Sequence, residues 1–195
     1  CYYLVESNDW WHWAYEHQKE RWAEFGLTVD TEHMEFSGFY SQGDGACFTD
    51  CRIDWEKFWP QLTGKYWLLS GFKPYLPQPV ITKRNHHYSH EYTVEIEFGT
   101  DYRDYNYLCD EILDTRGLYP PTEENARHRE RCEARLLAEL NALAQELTER
   151  LRREMRRLYQ TLEIEYDDLT SDDALKTYFT EGEYLFEENG CLHCI

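Results

Sequence analysis

Three patterns in the chain predict an α+β fold. One long stretch carries leucines at steps of three and four, shorter stretches alternate apolar and polar residues, and a glycine-bearing turn sequence separates two of the alternating runs. The expected architecture is a single domain over residues 1–195. It holds an antiparallel sheet of four to six strands, packed by an N-terminal helix and by one long helix over about 123–166.

The first helix is expected over 8–25. Asn8 or Asp9 can accept hydrogen bonds from its free N–H groups, and Trp11, Ala14 or Tyr15, Gln18, Trp22 and Phe25 recur on one face. Gly26 suits the left-handed residue that follows a helix. Trp10 and Trp13 fall off that face, so each either packs on a second surface or stays exposed as an anchor for a partner.

Two strands are expected within 33–53. Met34, Phe36, Gly38 and Tyr40 alternate with Glu35, Ser37, Phe39 and Ser41. Beyond Gly45, Ala46, Phe48, Asp50 and Arg52 alternate with Cys47, Thr49, Cys51 and Ile53. Between the runs lies Gln42-Gly43-Asp44-Gly45, where Asp-Gly predicts a tight turn. A short helix broken at Pro60 is expected within 54–61, and Pro74, Pro77 and Pro79 favour extended chain after it. A further strand pair, 79–84 with 88–98, turns near Asn85-His86-His87 and places Tyr92, Val94, Ile96 and Phe98 on one face. Residues 105–113 fit a turn of helix.

Within the long helix, Leu136, Leu140, Leu143, Leu147, Leu151, Met155, Leu158 and Leu162 keep coiled-coil spacing for nearly four heptads. At about 1.5 Å per residue such a helix reaches on the order of 60 Å, so it is expected to kink, protrude or pair with a second copy. Arg150, Arg152, Arg153, Arg156 and Arg157 form the basic run of an acidic chain, with Glu146, Glu149 and Glu154 as neighbours able to satisfy it. Thr170 or Ser171 is expected to cap a helix over 172–180, whose first turn carries Asp172 and Asp173. A terminal hairpin is expected over 183–195, turning at Asn189-Gly190.

The charge bounds the partners. The 195 residues carry 20 Lys+Arg against 38 Asp+Glu, a formal charge of −18, which argues against direct binding to nucleic acid and favours a basic protein partner. No stretch approaches the roughly 18 consecutive apolar residues of a membrane span. Aromatic residues make up 16% of the chain, enough to build a core. The seven cysteines (Cys1, Cys47, Cys51, Cys109, Cys132, Cys191 and Cys194) are odd in number, and no secretory signal opens the sequence. Reduced thiols and a cytoplasmic location are expected.

The run Phe36-Ser37-Gly38-Phe39-Tyr40-Ser41-Gln42-Gly43-Asp44-Gly45-Ala46-Cys47-Phe48 resembles the hallmark of a widespread phage and bacterial family. The resemblance continues through Tyr88-Ser89-His90 and the stretch from Leu162 to Ala174, and ends at Glu183-Tyr184-Leu185-Phe186 with Asn189-Gly190. Members of that family are small and acidic, and many are labelled the antitoxin of a toxin–antitoxin stability system. The resemblance implies a phage or mobile-element origin, hence the host cytoplasm. Residues 56–78 and the final Cys191-Leu192-His193-Cys194-Ile195 depart from the pattern.

The candidate binding residues are Gln42, Gly43, Asp44, Gly45, Tyr88 and His90. Two glycines let a backbone approach a ligand closely, and Asp44 can accept hydrogen bonds or bind a metal; the same residues serve equally to make a hairpin turn. His86, His87 and His90 can supply acid–base chemistry or merely bond backbone at a strand end. No nucleophile signature is readable from spacing, so no catalytic residue is assigned. Cys191-x-x-Cys194 has zinc-ligand spacing, but Cys47 and Cys51, read as four apart on one strand, do not make a second knuckle; no metal or cofactor is assigned. Three functions follow. The first is an acidic inhibitor or sequestering protein for a basic host or toxin protein, such as one that binds nucleic acid. The second is a small enzyme built on Asp44 and His90. The third is an assembly protein that forms a homodimer through the 136–162 leucine seam of the long helix.

Overall fold

A 45-residue helix forms the spine of the molecule, and the other elements are arranged along it. The computed structural model describes residues 9–84, 87–98, 102–118 and 121–182, with backbone alone for 102–106. In chain order the elements are α1 (Trp11–Glu24), β1 (Leu27–Thr28), β2 (Met34–Phe36), β3 (Ala46–Phe48), β4 (Arg52–Ile53), α2 (Trp55–Phe58), β5 (Pro79–Lys83), β6 (Val94–Phe98), α3 (Tyr102–Thr115), α4 (Ala126–Thr170) and α5 (Asp172–Glu181). The chain is α+β. The expected terminal hairpin, with Cys191 and Cys194, and the turn residues Asn85 and His86 lie outside the described residues.

The strands do not join into one sheet of four to six. Among the described residues they make three separate antiparallel pairs, β1 with β4, β2 with β3 and β5 with β6. The cause is visible at the end of β2. Its alternation extends on paper to Ser41, but Gly38 and Tyr40 take φ of 64° and 69°, which turns the chain out of extended geometry after Phe36. The register is then Met34 opposite Phe48 and Phe36 opposite Ala46. The β3 residues are buried on both faces, and α4 packs against this pair. Helices therefore cover what a neighbouring strand would have covered.

Helix α1 buries Ala14, Tyr15, Gln18 and Trp22, the face read from spacing. Trp22 meets Phe48 edge to face, with ring centroids 5.3 Å apart. Among the described residues no side chain caps its N-terminus, Asn8 lying outside them; the carbonyl of Asp9 accepts from the amide of His12 at 3.0 Å. Gly26 ends the helix at φ 86°, where a Cβ would sit 2.7 Å from the carbonyl oxygen of Asp54. The two off-face tryptophans part ways. Trp10 joins a ring cluster with Phe36, Phe39 and Tyr166, whereas Trp13 stays exposed and stacks on His17 at 5.3 Å. At the other end of the chain, Ser171 caps α5, its hydroxyl accepting from the amide of Ala174 at 3.2 Å.

All eight seam residues from Leu136 to Leu162 are buried within this one chain. The homodimer expected through the 136–162 seam is thus corrected: the apolar stripe already packs on α1, β3, β6 and α3, and no face of it remains for a second copy. Past Leu162 the stripe ends, and Ile164 and Leu169 are exposed. Its polar positions also bind. Glu146 accepts from the amides of Thr63 and Gly64 and the hydroxyls of Thr63 and Tyr66. Burial alone would push the Glu146 carboxyl up, but these donors outweigh it and hold the group below its ordinary range. Two turns earlier, buried Glu139 accepts from the amide of Leu68 at 2.7 Å. Two carboxylates thereby pin the aromatic, proline-rich segment to the spine.

Among the described residues, no helix is long and apolar enough to cross a membrane.

Candidate functional site

The loop between β2 and β3 (37–45) and the loop before β6 (87–93) are held face to face on the C-terminal half of α4. This meeting point brings the candidate residues together, and the glycines are what let it close. Ser41 to Asp44 forms the turn, with the Asp44 amide bonded to the Ser41 carbonyl at 3.2 Å and Gly43 at φ 94° in its third position. The tight turn thus falls two residues earlier than the Asp44-Gly45 pair suggests, with Gln42 and Gly43 at its centre. A Cβ on Gly43 would stand 3.3 Å from the ring of Tyr88. A Cβ on Gly45 would lie 2.7 Å from Cδ2 of His90 and 3.0 Å from the carbonyl oxygen of Ser89. Gly43 and Gly45 are therefore seats for Tyr88 and His90, and Ser37 locks the two loops by accepting from the Ser89 amide at 2.9 Å.

Asp44 serves this turn directly, since its Oδ2 accepts from the amide of Ser41 at 2.7 Å. Gln42 and Tyr88 are exposed at the loop surface. His90 is engaged at both ring nitrogens. Nδ1 accepts from the amide of Tyr92 at 3.2 Å, and Nε2 lies 3.2 Å from the buried carboxylate of Glu91. An imidazole whose acceptor nitrogen already holds a backbone N–H lacks the free lone pair a general base uses. The arrangement orients loops more than it offers chemistry. Gly45→Ala is accordingly expected to lower the stability of the fold by about 1–3 kcal/mol, because backbone on both loops must shift. Urea unfolding read by tryptophan fluorescence checks this; an unchanged midpoint would return Gly45 to the role of a ligand-approach residue.

The site extends onto α4 through residues that spacing does not reveal. Arg156 pairs with Glu91 at 2.9 Å, and Arg152 lies over the ring of Tyr92 at 5.0 Å. Phe39 stacks on Tyr166 at 4.8 Å and on Tyr159 at 5.6 Å. The Tyr40 hydroxyl donates to Asp167, and that hydrogen bond is the main reason its pKa is pushed up to about 12. Tyr40 is the one non-glycine among the described residues with positive φ, so this strained loop is secured to the helix at its tip.

The arginine run resolves into pairs. Glu149 takes Arg152 and Glu154 takes Arg150 and Arg157, as neighbours on the helix suggest, whereas Glu146 is spent on the 63–66 segment. Glu154 is fully buried and also accepts from Arg21 at 2.7 Å and from the indole of Trp22 at 3.1 Å. Its only signal in the sequence was its place inside the basic run.

Cys47, Cys51, Cys109 and Cys132 are all buried. Cys47 and Cys51 do not share a strand: Cys47 lies in β3 and Cys51 precedes β4. Burial pushes both thiols up, against Lys83 for Cys47 and with help from Asp50 for Cys51, which reaches about 12. Among the described residues, no group of three or more His, Cys, Asp or Glu could hold a metal ion.

One protein-family profile matches the chain over residues 10–64 and 78–172, and its description reads Domain of unknown function (DUF8835). The two blocks contain both loops of the site, α1 and all of α4. The pinned segment over 65–77 falls between them. No curated protein and no solved structure matches this chain.

Proposed function

The chain belongs to the DUF8835 family, and from that premise we propose that it is a binding protein which inhibits or sequesters a basic protein, such as one that itself binds nucleic acid. The observation that carries the reading is the arm formed by the last two turns of α4 together with α5. From residue 158 to residue 175 the chain has no Lys or Arg and carries Glu163, Glu165, Asp167, Asp168, Asp172 and Asp173. Asp167, Asp168, Asp172 and Asp173 are exposed, and among them stand Ile164 at 60% and Leu169 at 45% exposure. Acids alone describe an ordinary solvated face. Acids surrounding exposed aliphatic side chains provide both parts of an interface, charge for steering and an apolar anchor for affinity. The likeness of the sequence to antitoxin-labelled phage proteins supports the same reading.

The test is capture of binding partners from host cells at low salt, with the wild type beside an Asp168→Lys/Asp173→Lys variant. The expected result is one stoichiometric basic protein, released as salt rises. Its affinity for the variant, measured afterwards with the purified pair, should fall at least tenfold, about 1.4 kcal/mol. Absence of such a partner, or equal binding by the variant, would overturn the proposal. No geometry favours the enzyme built on Asp44 and His90, since both side chains are occupied in holding the loops.

A further inference from the structure

We infer that the groove between α1 and α4 binds the phosphate group of a small molecule. This groove, of about 450 Å³, is lined by Arg21, His17 and Gln18 from α1 and by Arg157, Gln160 and Thr161 from α4. The groove is open to solvent. In a chain with 38 acidic residues, no carboxylate among the described residues lines it. The carboxylate nearest its cations is Glu154, buried behind them.

The charge count at this place is unbalanced. Three guanidiniums, Arg21, Arg150 and Arg157, surround the single carboxylate of Glu154, but of these only Arg21 and Arg157 line the groove, a formal surplus there of 2 − 1 = +1. Arg150 is directed elsewhere, over the ring of Phe25 at 5.6 Å and toward Gln61 at 3.3 Å. Arg21 and Arg157 keep 34% and 43% of their side-chain surface exposed and form the groove wall. Neither has used all its donors on protein. Arg21 gives Nε to Gln18 and Nη2 to Glu154, each at 2.7 Å, which leaves Nη1; Arg157 gives Nη1 to Glu154 at 3.0 Å, which leaves Nε and Nη2. Because the buried carboxylate already fixes both guanidiniums, little side-chain freedom remains to be lost on binding. A net positive charge, with spare guanidinium donors supplied from two helices, suits an oxyanion with several acceptor oxygens, such as a phosphate group.

The test uses isothermal titration calorimetry of the whole chain in a phosphate-free buffer at low salt, with inorganic phosphate and AMP as the two probes. Saturable one-to-one binding of either probe, with a dissociation constant of about a millimolar or tighter, is expected; the tighter of the two identifies free phosphate or a phosphate monoester as the source. Gln160→Glu adds a carboxylate at an exposed lining position without touching the Glu154 cage, and is expected to weaken binding at least tenfold with circular dichroism unchanged. Arg157→Gln should weaken it similarly; if that variant does not fold, Gln160→Glu alone decides. Neither probe saturating up to about 10 mM, or equal binding by Gln160→Glu, would overturn the inference.

Discussion

Glu154→Gln is expected to destabilise the protein by about 3–5 kcal/mol, although the substitution keeps the shape of the side chain. The carboxylate is fully buried and receives hydrogen bonds or ion pairs from Arg21, Trp22, Arg150 and Arg157. An amide removes the negative charge and turns an N–H pair toward guanidiniums, leaving cations inside the structure without a counter-charge. A domain of ordinary stability has only about 5–15 kcal/mol in total, so this loss is a large share of it. For a chain of this length it corresponds to a fall in melting temperature on the order of 10 °C. Thermal unfolding followed by circular dichroism reads it. A shift under about 2 °C would mean that water reaches the cage and that burial is not what gives the carboxylate its importance.

Leu151→Lys is expected to unfold the chain, not to split a dimer. A seam exposed for self-association would tolerate the substitution, and light scattering would then report a smaller particle with an intact fold. In the structure Leu151 has no exposed surface and lies between Leu147 and Met155 on the same buried stripe. Removing its side chain alone costs about 2–5 kcal/mol, and burying an ammonium adds several more. Loss of cooperative unfolding and of near-ultraviolet circular dichroism is the expected outcome. A folded Leu151→Lys protein with halved mass would restore the leucine seam as an oligomer interface.

How much of this was legible follows from the range of the signals. Helix periodicity is local and strong, so α1, α4 and α5 lie close to their expected bounds, and the face read for α1 contains its four buried residues, with Trp11 and Phe25 at its ends only half-buried. The six candidate residues Gln42, Gly43, Asp44, Gly45, Tyr88 and His90 do share one place, since two turn-rich loops meet there. Their role was not legible. Whether a glycine admits a ligand or a neighbouring side chain depends on what lies across from it, and here Tyr88 and His90 lie across from Gly43 and Gly45. The single sheet was misjudged for the opposite reason. Alternation in 34–41 is genuine, but the left-handed backbone at Gly38 and Tyr40 ends the strand, and the aromatic side chains that continue the pattern go to a ring cluster on α4.

The amino-acid order by itself determined the α+β class, the long helix with its apolar stripe and the helix-ending glycine, because each depends on residues within a turn or two of one another. Tertiary structure alone decided what that stripe faces, which cations surround Glu154, and that the glycine-rich loop is a docking seat for a second loop. Those are contacts between residues 50 to more than 130 positions apart, as in Ser37 with Ser89 and Arg21 with Glu154. No local pattern encodes such pairings; they arise only when apolar burial brings α1 and the loops onto one helix and every enclosed polar group must find a partner.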